Sequence, residues 1–132
     1  MIQDNYVRHI YVIEDIHDGD TITAIAELGY NVLGRITFRF KGINTAETKS
    51  KIKNPVRYAL GMKAKAYVQD ILDNHKTRVY SEKFEDGSFG RYLGTMYYEK
   101  DGNWIDLNQE LVDLGLAQKY YIGASKDFGD FK

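Results

Sequence analysis

Within the segment from residue 32 to residue 40, Ile36, Phe38 and Phe40 alternate with Thr37 and Arg39, a pattern that few structures other than a β-strand can use. Phe38 and Phe40 fall on one side of this alternation, and Thr37 and Arg39 fall on the other. Since successive side chains of a strand point to opposite faces, the period of two predicts a strand with one buried face. Arg39 is therefore expected on the face opposite the two phenylalanines.

Four further segments are predicted to be strands, because they are rich in β-branched and aromatic residues and are bounded by turn signals. The turn signals are short clusters of Gly, Asp and Asn, as in residues 18–20 and 29–31. In the second strand Ile22, Ala24 and Ala26 share one face. The four segments are residues 6–13, 21–26, 77–84 and 91–98.

Two segments carry the signals of helices. Asn54 and Pro55 resemble an N-cap followed by proline at the first helical position, and apolar residues then recur with a helical period to about Leu72. Asp106 is placed to cap a second, shorter helix, and Gly115 lies where a C′ glycine is expected. The apolar stripe of the first helix consists of Leu60, Ala64, Tyr67, Val68 and Ile71, and that of the second of Leu107, Leu111 and Leu114.

The order of these elements predicts an α+β domain that is mainly a β-barrel. Three strands, a helix, two strands and a helix fit a five-stranded Greek-key barrel of the OB-fold type, in which the main helix lies between the third and fourth strands. We expect two or three helices in all. The chain of 132 residues is predicted to be one domain over 1–132, with a core of about 6–122 and a loose tail over 123–132.

Composition narrows the functional classes. Hydrophobic residues make up 43% and charged residues 28%, as in ordinary globular proteins, and the absence of cysteine excludes disulfides and thiolate metal sites. The net charge of −1 argues against a broadly basic nucleic-acid coat, although gripping one phosphate needs only local positive charge. No apolar run reaches the length of a membrane span, and residues 1–5 lack the features of a signal peptide. We therefore expect a cytoplasmic protein, or a secreted one if a leader has been removed.

Three short segments together hold the groups that phosphodiester hydrolysis requires. They are Asp-Gly-Asp at 18–20, Arg39 followed by Asn-Thr-Ala-Glu at 44–47, and Gly-Arg at 90–91. A hard divalent ion needs oxygen ligands, a developing phosphorane needs fixed positive charge, and an attacking water needs a base. Each segment alone has another interpretation, as a turn, an exposed charge or a structural ion pair, and Asp-Gly-Asp alone is more often a turn than a metal site. The hypothesis therefore depends on a fold that brings the three together.

In this order and spacing, the segments resemble the staphylococcal (micrococcal) nuclease family, also called thermonuclease-like. The resemblance extends from about residue 11 to residue 121, and one of its motifs alone would be weak. The matching pieces are residues 18–21, 38–39, 42–48, 89–94 and 111–117.

The resemblance implies a hydrolase, an endonuclease of the thermonuclease type that cleaves single-stranded or denatured DNA and RNA with Ca²⁺. We expect no membrane partner, since no apolar run is long enough to span one, and we expect a monomer. Carried onto this chain, Arg39 and Arg91 would bind the phosphate and the transition state, and Glu47 would position or deprotonate the attacking water. The calcium ligands would be Asp20, Asn44 and the Thr45 carbonyl, and the substrate-binding residues would include Phe89 and Tyr121.

Some residues depart from the family pattern or allow another interpretation. Asn44 stands where the family's prototype has a carboxylate, so calcium is expected to bind more weakly. Ala46 replaces a proline, which should loosen the loop that carries Glu47, and Phe89 replaces a tyrosine. Lys49 lies in a basic loop that either faces the substrate phosphates or is simply solvated.

Two other functions stay open at this point. The first is a catalytically weak or inactive nuclease-like module that binds nucleic acid or protein, which the change at Asn44 favours. The second is a plain OB-fold binder of single strands, which the charge balance does not favour. Retention of Arg39, Glu47 and Arg91 together argues for the enzyme.

Overall fold

The computed structural model describes residues 6–46, 55–83 and 91–119. Within them five long strands close into a barrel of mixed strand direction, and two helices accompany it, as the sequence predicts. The elements are β1 (Tyr6–Asp18), β2 (Thr21–Gly29), β3 (Val32–Phe40), β4 (Ile43–Asn44), α1 (Pro55–Asn74), β5 (Thr77–Lys83), β6 (Arg91–Lys100), β7 (Asn103–Asp106), α2 (Leu107–Asp113) and β8 (Gln118–Lys119).

The barrel closes through one parallel strand pair. The antiparallel ladder runs β3-β2-β1-β5-β6, and β3 then pairs with β6 in parallel, so that Phe40 faces Gly94. A Cβ atom on Gly94 would lie 2.8 Å from Val79 Cγ2 and 3.3 Å from Phe38 Cδ1. Glycine at this position therefore lets the interior side chains approach the seam closely.

The predicted inward faces are confirmed. Ile22 and Ala24 of β2 have no exposed surface, and Phe38 and Phe40 of β3 are at most 2% exposed. Burial of their alternating apolar side chains supplies most of the free energy that stabilises a core of this kind. Of the apolar stripe predicted for α1, Ala64, Val68 and Ile71 are buried, and Leu60 and Tyr67 are partly buried against the core. Gly61 and Leu72 are buried as well.

The predicted ends of α2 are also confirmed. The Asp106 side chain accepts a hydrogen bond from the backbone N–H of Gln109 at 3.0 Å, as an N-cap does. At the other end Gly115 has a φ of 74°, and the Leu116 N–H donates to the Leu111 carbonyl at 2.8 Å. This six-to-one bond defines a Schellman motif. The predicted N-cap of α1, Asn54, lies outside the described residues.

The first two strands extend further at their carboxyl ends than the sequence predicted. The first strand continues to Asp18 rather than ending at residue 13, and the second continues to Gly29. Three register shifts in β1, between Ile10 and Asp18, interrupt the regular alternation on which the prediction relied. The short strands β4, β7 and β8 were not predicted. No described helix is long and apolar enough to cross a membrane.

Candidate active site

Asp20 lies in the tight turn between β1 and β2, and its position depends on the glycine before it. A Cβ atom on Gly19 would lie 2.8 Å from Ala64 Cβ and 3.0 Å from Thr45 Cγ2. Only glycine therefore lets this turn pack against both α1 and the segment after β4. This packing brings the Asp20 side chain into hydrogen-bonding contact with Thr45, although 25 positions separate the two residues in sequence.

The ladder between β2 and β3 brings Arg39 to the same turn. Thr21 is the cross-strand partner of Arg39, and the Phe40 N–H donates to the Asp20 carbonyl at 2.7 Å. The Arg39 side chain is 15% exposed. A guanidinium that is mostly covered by protein keeps its electrostatic interactions from being screened as strongly as on an open surface.

The Asp20 carboxylate accepts two hydrogen bonds in addition to its ion pair with Arg39. Its Oδ2 accepts from the Thr45 N–H at 2.9 Å, and its Oδ1 accepts from the Thr21 hydroxyl at 3.1 Å. Asp20 itself is 8% exposed. These bonds fix the orientation of the carboxylate. They also offset the free-energy cost of burying its charge, which would be large without partners.

Arg39 joins the two polar segments. Its Nη2 donates to Asn44 Oδ1, its Nη1 donates to the Phe40 carbonyl at 3.0 Å, and the same Nη1 lies 3.4 Å from Asp20 Oδ2. Asn44 is buried and is held by the short β4–β8 ladder, in which it pairs with Gln118. The sequence-predicted residues Asp20, Arg39, Asn44 and Thr45 thus form one cluster.

Asn108 stabilises the turn that leads into this cluster, and it was not predicted from the sequence as a residue of the site. Its amide nitrogen donates to the carbonyls of Lys41 and Gly94, both at 3.0 Å, and its Oδ1 accepts from the Met96 N–H at 3.1 Å. These bonds tie α2 to the β3–β4 turn that leads to Asn44. The available signal was a polar residue on the apolar face of a short capped helix, directly after Leu107.

The structure describes Arg91 only through its backbone. Arg91 opens β6 and pairs with Thr37, two residues before Arg39 on the neighbouring strand. The other predicted site residues, Glu47, Lys49, Phe89 and Tyr121, lie outside the described residues. The roles given to all five stay predictions.

The oxygen atoms of the cluster suit a hard cation in kind but supply little charge. Asp20 provides one carboxylate, Asn44 an amide oxygen, and Thr45 a backbone carbonyl. The Thr45 hydroxyl oxygen is buried and has no hydrogen-bond partner among the residues that the structure describes, so an additional polar ligand would find an acceptor there. Within the described ranges no group of three or more His, Cys, Asp and Glu residues comes together. The donors therefore fit calcium by type, with one negative charge from the described part.

Comparison with known families agrees with this fold. A family model described as staphylococcal nuclease homologue matches residues 37–130. The chain belongs to this family, and the predicted resemblance is confirmed. The family is one of hydrolytic nucleases that act on nucleic acids. A search of curated proteins finds no match. Arg39, Asn44 and Thr45 fall inside the matched range, whereas Asp20 precedes it.

Proposed function

We propose that this chain is a Ca²⁺-dependent nuclease that hydrolyses phosphodiester bonds of DNA, RNA or both by attack of water. The observation that carries the proposal is the position of Arg39, whose guanidinium lies between the Asp20 carboxylate and the Asn44 amide oxygen. A phosphate-binding cation beside a set of oxygen donors is the arrangement that metal-assisted phosphodiester hydrolysis needs. Membership of a nuclease family supports the same conclusion.

Arg39 is proposed to bind the scissile phosphate and to stabilise the charge that develops on it. The planar guanidinium can donate two parallel hydrogen bonds to phosphate oxygens. Its contacts with Phe40 and Asn44 already restrict its orientation, so little reorganisation is required during the reaction. Arg91, at the start of the strand paired with β3, is proposed as the second such cation.

Asp20, Asn44 and the Thr45 carbonyl are proposed to hold the calcium ion. When bound, calcium supplies Lewis-acid polarisation of a phosphate oxygen. Asn44 Oδ1 already accepts a hydrogen bond from Arg39, and its amide is neutral. Both facts argue for weaker calcium binding than a second carboxylate would give.

Glu47 is proposed to orient the attacking water and to accept its proton. In sequence, Glu47 follows Thr45 by two positions, in the segment that resembles the family motif. The Thr45 N–H donates a hydrogen bond to the Asp20 carboxylate, so the part of this segment that the structure describes ends beside the cluster. A carboxylate within reach of the phosphate is the base that neutral water requires.

A catalytically weak module that binds nucleic acid or protein is the second candidate. The specific observation in its favour is that Asn44 leaves Asp20 as the one carboxylate of the described cluster. Such a module would bind single strands through Arg39 without turnover. It differs from the enzyme in making no use of a base at position 47.

The substitution Glu47→Gln separates these two functions. For the enzyme, we expect loss of most cleavage of denatured DNA in calcium, with unchanged circular dichroism and unchanged binding of an uncleaved oligonucleotide. Cleavage by Glu47→Gln at the wild-type rate would show that the role given to Glu47 is wrong. Binding by the wild type without cleavage in any divalent metal would favour the module.

A further inference from the structure

The outer face of the barrel carries a second group of cationic and aromatic side chains, at the opposite end of β1 from Asp20. His9 of β1 and Arg78 of β5 are cross-strand partners, and both lie on the face opposite the buried Val79. They line an open groove of about 420 Å³, a size within the range of ligand sites. Trp104, Tyr11, Lys76 and Glu99 also line it.

Arg78 is the centre of this groove. Its guanidinium carbon lies 4.2 Å from the centroid of the Trp104 ring. Its Nε is buried, and among the residues that the structure describes the Arg78 side chain has no hydrogen-bond or ion-pair partner. A guanidinium that is stacked on an aromatic ring but lacks an acidic partner is preorganised to receive an anion.

The charges and rings around Arg78 indicate which anion fits. The groove is lined by two permanent cations, Lys76 and Arg78, against the single carboxylate of Glu99. Tyr11 is 60% exposed, and an exposed ring beside a cation is a surface on which a nucleic-acid base can stack. An acidic peptide would satisfy the cations but would leave the exposed ring without a stacking partner.

We propose that this groove binds a phosphate and an adjacent base of a single-stranded nucleic acid, as a site separate from the candidate active site. The choice of a nucleic acid as ligand rests on the proposed nuclease function, whereas the groove itself does not. The 13 residues of β1 rise by about 3.3 Å each, so as much as about 30 Å of strand separates His9 from Asp18. A strand bound at both places gains affinity from the linkage, which favours longer substrates over short ones.

The single tryptophan of the chain reports on this groove directly. The experiment is a titration of the full chain with an oligothymidylate of about 15 nucleotides. This length is within the range of site sizes of OB-folds that bind single strands. It is made at low ionic strength and in excess chelator, so that no cleavage occurs. We expect saturable quenching of Trp104 emission. Binding detected by the anisotropy of a labelled oligonucleotide without any change in Trp104 emission would overturn the proposal.

Variants of Arg78 test the phosphate contact. Arg78→Met keeps the apolar stem against Trp104 and removes the charge, and we expect affinity about tenfold weaker with a salt slope lower by about one. Arg78→Lys keeps the charge but loses the planar guanidinium. Its affinity for the oligonucleotide should lie between those of the wild type and Arg78→Met. The matched control is Arg35→Gln on β3, whose exposed arginine is paired with Glu14; its affinity should equal that of the wild type.

Lys76→Gln keeps the test decisive if Arg78→Met does not fold, because Lys76 is exposed. We expect affinity about threefold weaker and the same loss of about one unit in salt slope. Wild-type quenching curves for both Lys76→Gln and Arg78→Lys would overturn the proposal. So would an emission change that depends on protein concentration alone, since that result indicates a second copy of the chain as the occupant.

Hydrolysis and quenching separate this inference from the proposed function. Cleavage of denatured DNA in calcium without quenching of Trp104 would contradict the proposed binding at the groove and would still support the proposed nuclease function. Quenching without cleavage in any metal would support the groove and would favour the binding module over the enzyme.

Discussion

Arg39 donates a hydrogen bond to the side-chain oxygen of Asn44, five residues further along the chain. The same guanidinium lies 3.4 Å from Asp20, so one cation is shared between the two residues proposed to hold calcium. The phosphate-binding and metal-binding parts of the candidate site are therefore coupled through a single side chain. A substitution at any of the three residues should affect both parts.

Asn44→Asp tests the strength of the metal site. A second carboxylate adds one negative charge at the site, so we expect calcium to bind about tenfold more tightly, equivalent to about 1.4 kcal/mol. Isothermal titration with CaCl₂ measures this without any dependence on activity. The matched control is Asn31→Asp in the exposed β2–β3 turn, where the same change should leave calcium affinity unaltered. Equal affinities in wild type and Asn44→Asp would argue that position 44 is not a ligand.

Arg39→Gln tests the phosphate site. Loss of a preorganised donor to the transition state should lower kcat by about 10²–10³-fold. Arg35→Gln is the matched control, because Arg35 lies on the same strand and its side chain is 69% exposed. Surface ion pairs of that kind contribute little, so its kcat should match the wild type. If both variants cleave like wild type, Arg39 has no role in the reaction.

Asn108→Ala tests the support behind the site. The change removes three hydrogen bonds, two of them buried, to the Met96 N–H and the Gly94 carbonyl, and one part-buried, to the Lys41 carbonyl. Because each contributes about 1 kcal/mol, we expect a loss of about 3 kcal/mol in the free energy of unfolding. Urea unfolding followed by circular dichroism measures the loss. The same substitution at the exposed Asn103 should change stability by less than about 0.5 kcal/mol. A loss this small at Asn108 would show that its bonds do not hold the turn.

The network around Glu110 predicts a loss of stability at high pH. Tyr67 and Tyr98 both donate to Glu110. Burial, followed by the hydrogen bond to Glu110 and its negative charge, raises the pKa of Tyr67 to about 12 and also raises the pKa of Tyr98. Since an unfolded tyrosine has a pKa of about 10, the folded state binds more protons above that pH. The associated stability is complete below pH 10 and is lost as the pH rises toward 12.

Urea unfolding at several pH values between 8 and 11.5, in steps of about half a unit, measures this decline. Tyr67→Phe removes one of the two titrating groups, so its stability should fall less steeply with pH than that of the wild type. The exposed Tyr30 gives the matched control, since Tyr30→Phe should leave the slope unchanged. A wild-type slope in Tyr67→Phe would show that Tyr67 is not a source of the alkaline loss.

Local patterns were sufficient to predict the parts of the fold that depend on near neighbours in sequence. The alternation around Phe38 and the capping signals at Asp106 and Gly115 are properties of a few consecutive residues, and their predicted faces and ends are observed. The parallel pairing of Phe40 with Gly94, in contrast, joins distant segments. Closure could be expected only from the order of elements and the need to remove free edges.

In the candidate site, too, some features could be predicted from local patterns, whereas others depend on contacts between distant segments. Asp20, Arg39 and Asn44 could be selected because their residue types and spacing resemble a known motif. Their mutual contacts come from the β2–β3 register and from the packing of the Gly19 turn, which no local pattern encodes. Asn108 acts through three long-range hydrogen bonds, and the contact between Arg78 and Trp104 crosses separate strands. The position of Asn108 on the apolar face of α2 was a sequence signal that it is buried, but neither its partners nor the contact of Arg78 with Trp104 could be predicted from local patterns.

The most direct test of the proposed function is cleavage of denatured DNA by the wild-type chain in calcium, in magnesium and in excess chelator. We expect hydrolysis in calcium that stops when the chelator is added and returns when calcium is restored. Because the described cluster contributes one carboxylate, calcium concentrations well above those needed by a two-carboxylate site should be required. Cleavage that continues undiminished in chelator, or binding of the DNA without cleavage in either metal, would contradict a calcium-dependent nuclease.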